Sequence, residues 1–529
     1  MRIINEYKNW LQEAKDTKLI SDKLALIIVL FIIICCALIR VLTFSTLPLE
    51  ITFWKEIDYL NISRGFWEHG FNIFKPEVLW LADPPRITAM EFPLIPYVSS
   101  LLYFLFGYNI FTVRILTMLA FIGLVFYLFK LVQRELGNLI AILAALAASI
   151  MPLYHPFGQI LFSDPWVIAF SVFTIYHFAE WLDNDKKSNA IQALIGFTLT
   201  IALKITALYI LIPLVWILYR KYQFKIKSYF KYIGLGLLGL ILPIAWYMYA
   251  YYLTNNSVDV FGVFGGHNKF QTFTMLMDPL WYKTLFFRLS RDILGGEIGL
   301  FLCIIGFIAT FLVKKNELFI AYLVAILAFF VIVAEGQYDA PYRQMTIIPV
   351  FSVFVALGTI SLLSIVSFVI NKIKKSNYRL IPHLQLIFAS ILIIGMLFSN
   401  YQFVFNKKKV RDLQGYQLAQ VIKDFKTIDT KIITAGEYTI HEGGNDLSPN
   451  LYYYADVQGW SLQAGDWNMK LIDSLIIRGA TIFTAIDMSR EPESLDFIKQ
   501  MEEKYPVLYM DEENEMLILD LTRIGNFNK

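Results

Sequence analysis

Charge is scarce in this chain. Of its 529 residues only 17% are Asp, Glu, Lys or Arg, whereas 57% are hydrophobic. That mix lies well outside the range of water-soluble domains. The net charge of +3 supplies no basic field that would draw nucleic acid. Cysteine is nearly missing. Cys35, Cys36 and Cys303 all sit inside apolar runs, where packing is expected rather than disulfide or metal chemistry. The histidines (His69, His155, His177, His267, His383 and His441) show neither H-x-x-x-H nor H-E-x-x-H spacing, so they outline no metal site. There is no Walker motif, no Gly-rich phosphate loop and no G-x-S-x-G. P-loop nucleotide chemistry and the hydrolase nucleophile elbow therefore find no support. Internal repeats and low-complexity tracts are also missing.

What the chain has is apolar runs. They recur near 24–44, 111–130, 139–153, 163–180, 191–205, 206–219, 232–253, 292–313, 317–334, 345–370 and 381–400. Runs of this kind read as spans of a bilayer. The segment 1–23 carries mixed charge and reads as amphipathic rather than as a cleavable signal. Lys and Arg cluster in alternate loops: Lys130 and Arg134; Lys186 and Lys187; Arg220, Lys221, Lys225, Lys227 and Lys231; Lys314 and Lys315; Lys372, Lys374, Lys375 and Arg379. With Arg2, Lys8, Lys15, Lys18 and Lys23 they define the expected cytoplasmic side. Residues 94–106 are apolar but short; if they crossed, every later basic loop would move outside. They are therefore expected to form an outer-face interfacial or re-entrant helix. Merging 191–205 with 206–219 would invert the loops in the same way, so two short helices meeting near Lys204 are expected.

Three regions fall on the outer side in this scheme: the loop 45–110, the loop 254–291 and the tail beyond about residue 401. The fold class is thus mainly α, a polytopic helical bundle, with a small C-terminal α/β domain. Its expected divisions are residues 1–23, a membrane domain over 24–404 and the tail 405–529. In the tail, 411–426, Asn468–Arg478 and Glu493–Lys504 read as helices. Lys431–Ala435, Leu451–Ala455, Ala480–Ala485, Val507–Met510 and Met516–Leu521 read as strands.

Ionisable residues near the ends of spans are the candidates for chemistry, because charge there is costly to keep. Asp58 lies in the first loop, in Trp54-Lys55-Glu56-Ile57-Asp58-Tyr59. It is either a solvated acid or a catalytic one. Glu56 would share its face in an extended segment but not in a helix. Asp164-Pro165 opens the run 163–180, where an acid complements the helix dipole. Lys204 stands in an apolar stretch, as a snorkelling side chain or as a cation for a phosphate. Arg343 and Arg40 carry the same two readings.

The order of these residues resembles the polytopic GT-C glycosyltransferases, in the branch of protein O-mannosyltransferases and the lipid A aminoarabinose transferase. In that branch a recurring form reads W-R-x-x-D-T, then A-R-N-F-x-x-x-G-x-N-I-x-x-P, then E-F-P-x-x-x-Y. Here stand Trp54–Tyr59, then Ser63-Arg64-Gly65-Phe66 and Gly70-Phe71-Asn72-Ile73-Phe74-Lys75-Pro76, then Glu91-Phe92-Pro93 with Tyr97. Asp164-Pro165 matches the branch's D-P, and Lys204-Ile205-Thr206-Ala207-Leu208 its K-P-T-A-L. Leu451–Ala455 with Gly459-Trp460 resembles L-Y-F-A-x-x-x-G-W. The likeness covers residues 24–400 well and the tail more loosely. Lys55 replaces the usual Arg and Tyr59 the usual Thr, and Tyr338–Arg343 fits the pattern poorly. These departures bear on donor contacts more than on reaction class.

The resemblance implies an inverting enzyme that moves a sugar from a polyprenyl-phosphate donor to an envelope glycan, lipid or protein. It would work in the inner membrane of a bacterium, with a cytoplasmic N-terminus and an extracytoplasmic tail. Asp58 would be the base. Glu56, Glu91 and Asp164 would orient the acceptor or support the site. Lys204, Arg343, Arg64 and Lys55 would hold the donor phosphate. A divalent cation is left open, and no other cofactor is implied. A ligase or polymerase using a diphosphate-linked oligosaccharide is the alternative, kept alive by Lys269, Lys283, Arg288 and Arg291. A transporter fits less well, because repeated halves are missing.

Overall fold

The computed structural model describes residues 20–44, 53–80, 82–256, 263–264, 272–311, 317–374, 382–398, 413–436, 449–462, 467–486 and 492–523. Most of the expected amphipathic segment 1–23 lies outside these residues, as do His267, Lys269, Lys314, Lys315, Lys375, Arg379 and His441.

Helices occupy each of the expected apolar runs. They are Asp22–Leu42, Ile110–Leu136, Asn138–Ile150, Ser163–Asn184, Lys187–Leu203, Leu211–Tyr222, Phe230–Asn256, Glu297–Thr310, Glu317–Ile332, Ile348–Lys374 and Pro382–Phe398. Among the described residues, five helices are long and apolar enough to cross a bilayer. A sixth span results if Pro279–Ile293 and Glu297–Thr310, bent by 100°, count as one. Shorter apolar helices include Leu94–Phe106 and Asn138–Ile150. At 13 residues, Leu94–Phe106 is about 20 Å long, short of a hydrocarbon core of about 30 Å.

The chain divides into two compact units. The first comprises Met1–Ser45, Arg114–Ala245 and Asn268–Lys408. Large apolar side chains such as Phe31, Ile34, Leu237 and Ile241 lie exposed on its helices, as a lipid-facing surface requires. Lipid offers no hydrophobic gain for helix association, so close backbone approach matters instead. Glu297–Thr310 and Ile348–Lys374 pack in this way through two glycines. A Cβ at Gly306 would fall 1.7 Å from the Phe354 carbonyl oxygen, and one at Gly358 would fall 1.8 Å from that of Leu302. Arg40 is buried near the end of its helix. Its guanidinium donates to the carbonyls of Ser149, Tyr154 and His155 at 3.0 to 3.1 Å and lies 4.4 Å from the Phe121 ring centroid. It is a structural anchor.

The second unit comprises Thr46–Val113, Trp246–His267 and Lys409–Lys529. It holds the first-loop helix Phe53–His69 and a five-stranded sheet. The strands are β1 (Lys431–Gly436), β2 (Gln458–Ser461), β3 (Ile482–Ile486), β4 (Val507–Asp511) and β5 (Met516–Asp520), in the order β2-β1-β3-β5-β4. β1 runs parallel to β2 and β3, whereas β5 is antiparallel to β3 and β4. Leu413–Phe425, Met469–Ile477 and Pro492–Lys504 are helices, as the sequence suggests. Leu451–Ala455 is a correction. It belongs to the helix Asn450–Ala455, and the strand follows it as β2. A five-residue aromatic run suits either period, and tertiary packing decides. The helix buries Leu451, Tyr452, Tyr454 and Ala455.

Candidate active site

Asp58 sits on the helix Phe53–His69, not on an extended segment. Glu56 therefore points to a different side, because residues two apart on a helix do not face together. Both are buried: Asp58 is 2% exposed and Glu56 1%. Glu56 lies within electrostatic range of Tyr103 and Tyr453.

Asp58 faces a polar group drawn from the rest of the first loop. The indole Nε1 of Trp80 donates to Asp58 Oδ1 at 3.1 Å. Lys55, one turn earlier on the helix, pairs with Glu91 at 3.1 Å. Glu91 belongs to a stretch held in place beside it. Trp246 Nε1 donates to the Met90 carbonyl at 3.1 Å, and the Phe92 ring meets Trp246 edge-on at 5.4 Å. Burial pushes the Asp58 carboxyl up, and the Trp80 hydrogen bond and Lys55 pull it down. Glu91 raises it again, leaving it at about 7. Lys55 and Glu91 neutralise one another, so burial prevails over the single indole bond.

Arg64, on the same helix, is ion-paired with Glu68 at 2.7 Å and with Asp456. Lys426 also pairs with Asp456, at 3.0 Å. Burial alone would raise the Asp456 carboxyl, but Lys426 and Arg64 outweigh it and hold it below its ordinary range.

A second group lies within the first unit. Ser163–Asn184 begins with Asp164 in its first turn. Lys204 breaks the chain between Lys187–Leu203 and the 3-10 turn Ile205–Ile210, with φ −161° and ψ 108°. That extended residue lets its side chain form an ion pair with Asp164. The Tyr342 ring centroid lies 5.8 Å from Lys204 Nζ, and Phe162 packs edge-on against the same ring at 5.3 Å. The next residue, Arg343, has a guanidinium 5.9 Å from that ring. Its Nε and Nη1 are buried with no hydrogen-bond partner among the described residues. Gly336 makes its place: a Cβ there would fall 1.5 Å from Arg343 Nη1.

The structure thus gathers Lys55, Glu91 and Asp58 in one unit, and Asp164, Lys204 and Arg343 in the other. Arg64 and Glu56 lie elsewhere on the Asp58 helix. Sequence reasoning missed Trp80, Tyr342 and Gly336. The short apolar run Val78–Ala82 inside an otherwise polar loop was the one available signal for Trp80. Among the described residues, no three His, Cys, Asp or Glu side chains gather closely enough to hold a metal ion.

Residues 85–249 match the family model described as dolichyl-phosphate-mannose-protein mannosyltransferase. No curated protein matches the chain. Among solved structures, apo ArnT from Cupriavidus metallidurans is similar with a TM-score of 0.63 at 13% identity, over 93% of this chain and 97% of that one. The same protein bound to undecaprenyl phosphate gives 0.60, with the same identity and coverage. The apo oligosaccharyltransferase of Archaeoglobus fulgidus gives 0.54 at 10% identity, over 97% of this chain and 76% of that one. Arabinofuranosyltransferase AftD from Mycobacteria gives 0.55 at 13% identity, over 92% and 39%. By fold the chain is a GT-C-type polytopic membrane protein like these glycosyltransferases, and residues 85–249 carry the mannosyltransferase family's sequence pattern.

Proposed function

We propose that this protein transfers a sugar from a polyprenyl-phosphate donor to a hydroxyl acceptor, with Asp58 as general base. The observation that carries this reading is the buried Asp58 carboxyl, raised to about 7 on a fold similar to one solved with undecaprenyl phosphate. A base works best when its pKa lies near the operating pH. In the reaction, Asp58 accepts the acceptor's hydroxyl proton. The acceptor oxygen then bonds to the anomeric carbon as the bond from that carbon to the phosphate oxygen breaks. The lipid phosphate departs with the bonding pair. One displacement inverts the anomeric centre, and a phosphate leaving group needs no acid to protonate it, unlike the alkoxide of glycoside hydrolysis.

Lys204 and Arg343 are proposed to hold the donor phosphate and to offset the charge it gains on leaving. The buried Nε and Nη1 of Arg343, without hydrogen-bond partners among the described residues, suit an incoming phosphate oxygen. Arg64 is already neutralised by Glu68 and Asp456, and Lys55 by Glu91, so they are weaker candidates for that role. Asp164 orients Lys204, and Glu91 orients Lys55. The setting is a bacterial inner membrane, with the first loop and the tail on the extracytoplasmic side. The acceptor is an envelope glycan, lipid or protein.

The test is incubation of the purified protein in detergent with radiolabelled polyprenyl-monophosphate and polyprenyl-diphosphate sugars, scoring release of the lipid phosphate. Release from a monophosphate donor, lost in Asp58→Asn, supports the reading. Turnover of diphosphate donors alone, or full activity in Asp58→Asn, overturns it.

A further inference from the structure

The Asp58 carboxylate is held by a strap that the C-terminal domain fastens. Trp80, 1% exposed, lies between Glu77 and Ile87, which are joined by an antiparallel bridge. Val78 N–H donates to the Arg86 carbonyl, and Thr88 N–H to that of Pro76, both at 3.0 Å. One side of this strap lies against the Asp58 helix at Gly65, where a Cβ would come within 3.3 Å of the Glu77 Cβ.

The other side is tied to the α/β domain on both flanks of Trp80. Before it, Gly459 N–H of β2 donates to the Leu79 carbonyl at 3.1 Å. After it, Ala82 is buried in the domain's own apolar core, with Ile433, Trp460 and Phe483. Asp83 then accepts from Trp460 Nε1 at 2.8 Å and from Arg478 Nη1 at 2.9 Å. A tryptophan tied down at Leu79 before it and at Ala82 and Asp83 after it has little freedom to swing its indole. The bond to Asp58 therefore inherits its direction from β2 and from the Arg478 helix end.

We propose that the C-terminal α/β domain is the positioning element for Asp58, acting through the strap, with Trp80 as the residue that aims the carboxylate and Asp83 as the tie. The catalytic consequence rests on Asp58 being the base; the mechanical coupling does not. The charged groups facing Asp58 are Lys55 and Glu91, which oppose one another. Glu56 shares its helix but faces Tyr103 and Tyr453. Among the described residues, Trp80 is the one neutral side chain that donates to Asp58 and so stabilises its ionised form. Without its N–H, Asp58 holds its proton to higher pH.

The experiment uses the full chain in detergent, labelled with 5-fluorotryptophan, and follows the 19F resonance of Trp80, assigned by its loss in Trp80→Phe. The expected result is a titration of that resonance near pH 7 that Asp58→Asn abolishes and that Asp83→Ala displaces. Arg478→Ala, at a half-exposed position, loosens the same tie should Asp83→Ala not fold. In activity, Trp80→Phe keeps the ring bulk and should move the acid limb of kcat/KM upward by about one pH unit, with donor KM unchanged. If the Trp80 resonance does not titrate, or if neither tie variant displaces it, the positioning role is overturned whatever the activity. If it titrates and responds to the tie while Asp58→Asn remains fully active, the coupling stands and the base assignment fails.

Discussion

Two charged groups of this protein handle buried charge in opposite ways. Around Asp58, the neighbouring charges Lys55 and Glu91 answer each other, so the carboxyl relies on one indole N–H and its pKa climbs to about 7. In the other unit, Lys204 and Asp164 form a direct ion pair, and Arg343 retains buried N–H groups without partners among the described residues. The first arrangement is suited to moving a proton near neutral pH. The second is suited to receiving an anion. A carboxylate whose pKa burial pushes up and a guanidinium with buried N–H groups lacking partners among the described residues both cost stability, and such groups mark candidate sites for chemistry.

The largest effect expected is on the Asp58 side. Asp58→Asn should lower turnover by roughly 10²- to 10⁴-fold, the contribution of a general base, with the protein still folded and inserted. Steady-state donor consumption measures it. On the cation side, Arg343→Ala should raise donor KM by roughly ten- to hundredfold, corresponding to about 1.5–3 kcal/mol for hydrogen bonds to a charged group, with a smaller change in kcat. Equal losses in Arg343→Ala and Asp58→Asn confined to kcat would erase the distinction between the two groups. Lys204→Ala should also weaken donor use, but it strands Asp164 in a buried site. The double variant Lys204→Ala/Asp164→Asn should recover thermal stability without recovering donor affinity, as a melting curve and a KM measurement would show.

Stability separates the groups further. Asp58 has a folded pKa raised from 3.8 to about 7, so the folded state binds its proton more tightly than the unfolded chain. Its favourable effect is fully present below about pH 4 and is lost as pH rises to about 7. Asp58→Asn should therefore stabilise the protein at pH 8 by at most about 4 kcal/mol and change it little at pH 4. Melting temperatures at the two pH values test this, and a pH-independent difference would contradict the burial argument. The smallest effect belongs to Gly336→Ala. The added methyl must displace Arg343, which should raise donor KM several-fold while leaving the Asp58-dependent pH profile in place.

The apolar runs and the basic loops made the helical bundle legible, because a 20-residue apolar stretch has few alternatives. The break at Lys204 was legible from the basic loops, because merging 191–205 with 206–219 into one span would have inverted every later loop. The alternating tail also read correctly in outline. The Leu451–Ala455 helix did not, since the burial of Tyr452 is decided by β1, where its hydroxyl meets Thr434, and that of Tyr454 by the helix Leu413–Phe425, where its ring meets Tyr416. Nor did the sequence reveal that Trp80 meets Asp58, 22 residues away. A hydrogen bond set by a strap that a domain almost 400 residues later fastens leaves no local periodicity to read.

The most direct test is the pH dependence of kcat/KM for a polyprenyl-phosphate sugar, measured on the wild-type protein between pH 5 and 9, a window of about two units either side of the Asp58 value. A rate that climbs about tenfold per unit at low pH and levels off above about 7, where Asp58 is ionised, is the predicted result. A rate that is flat across that range, or that falls as pH rises through 7, would contradict the assignment of Asp58 as the base.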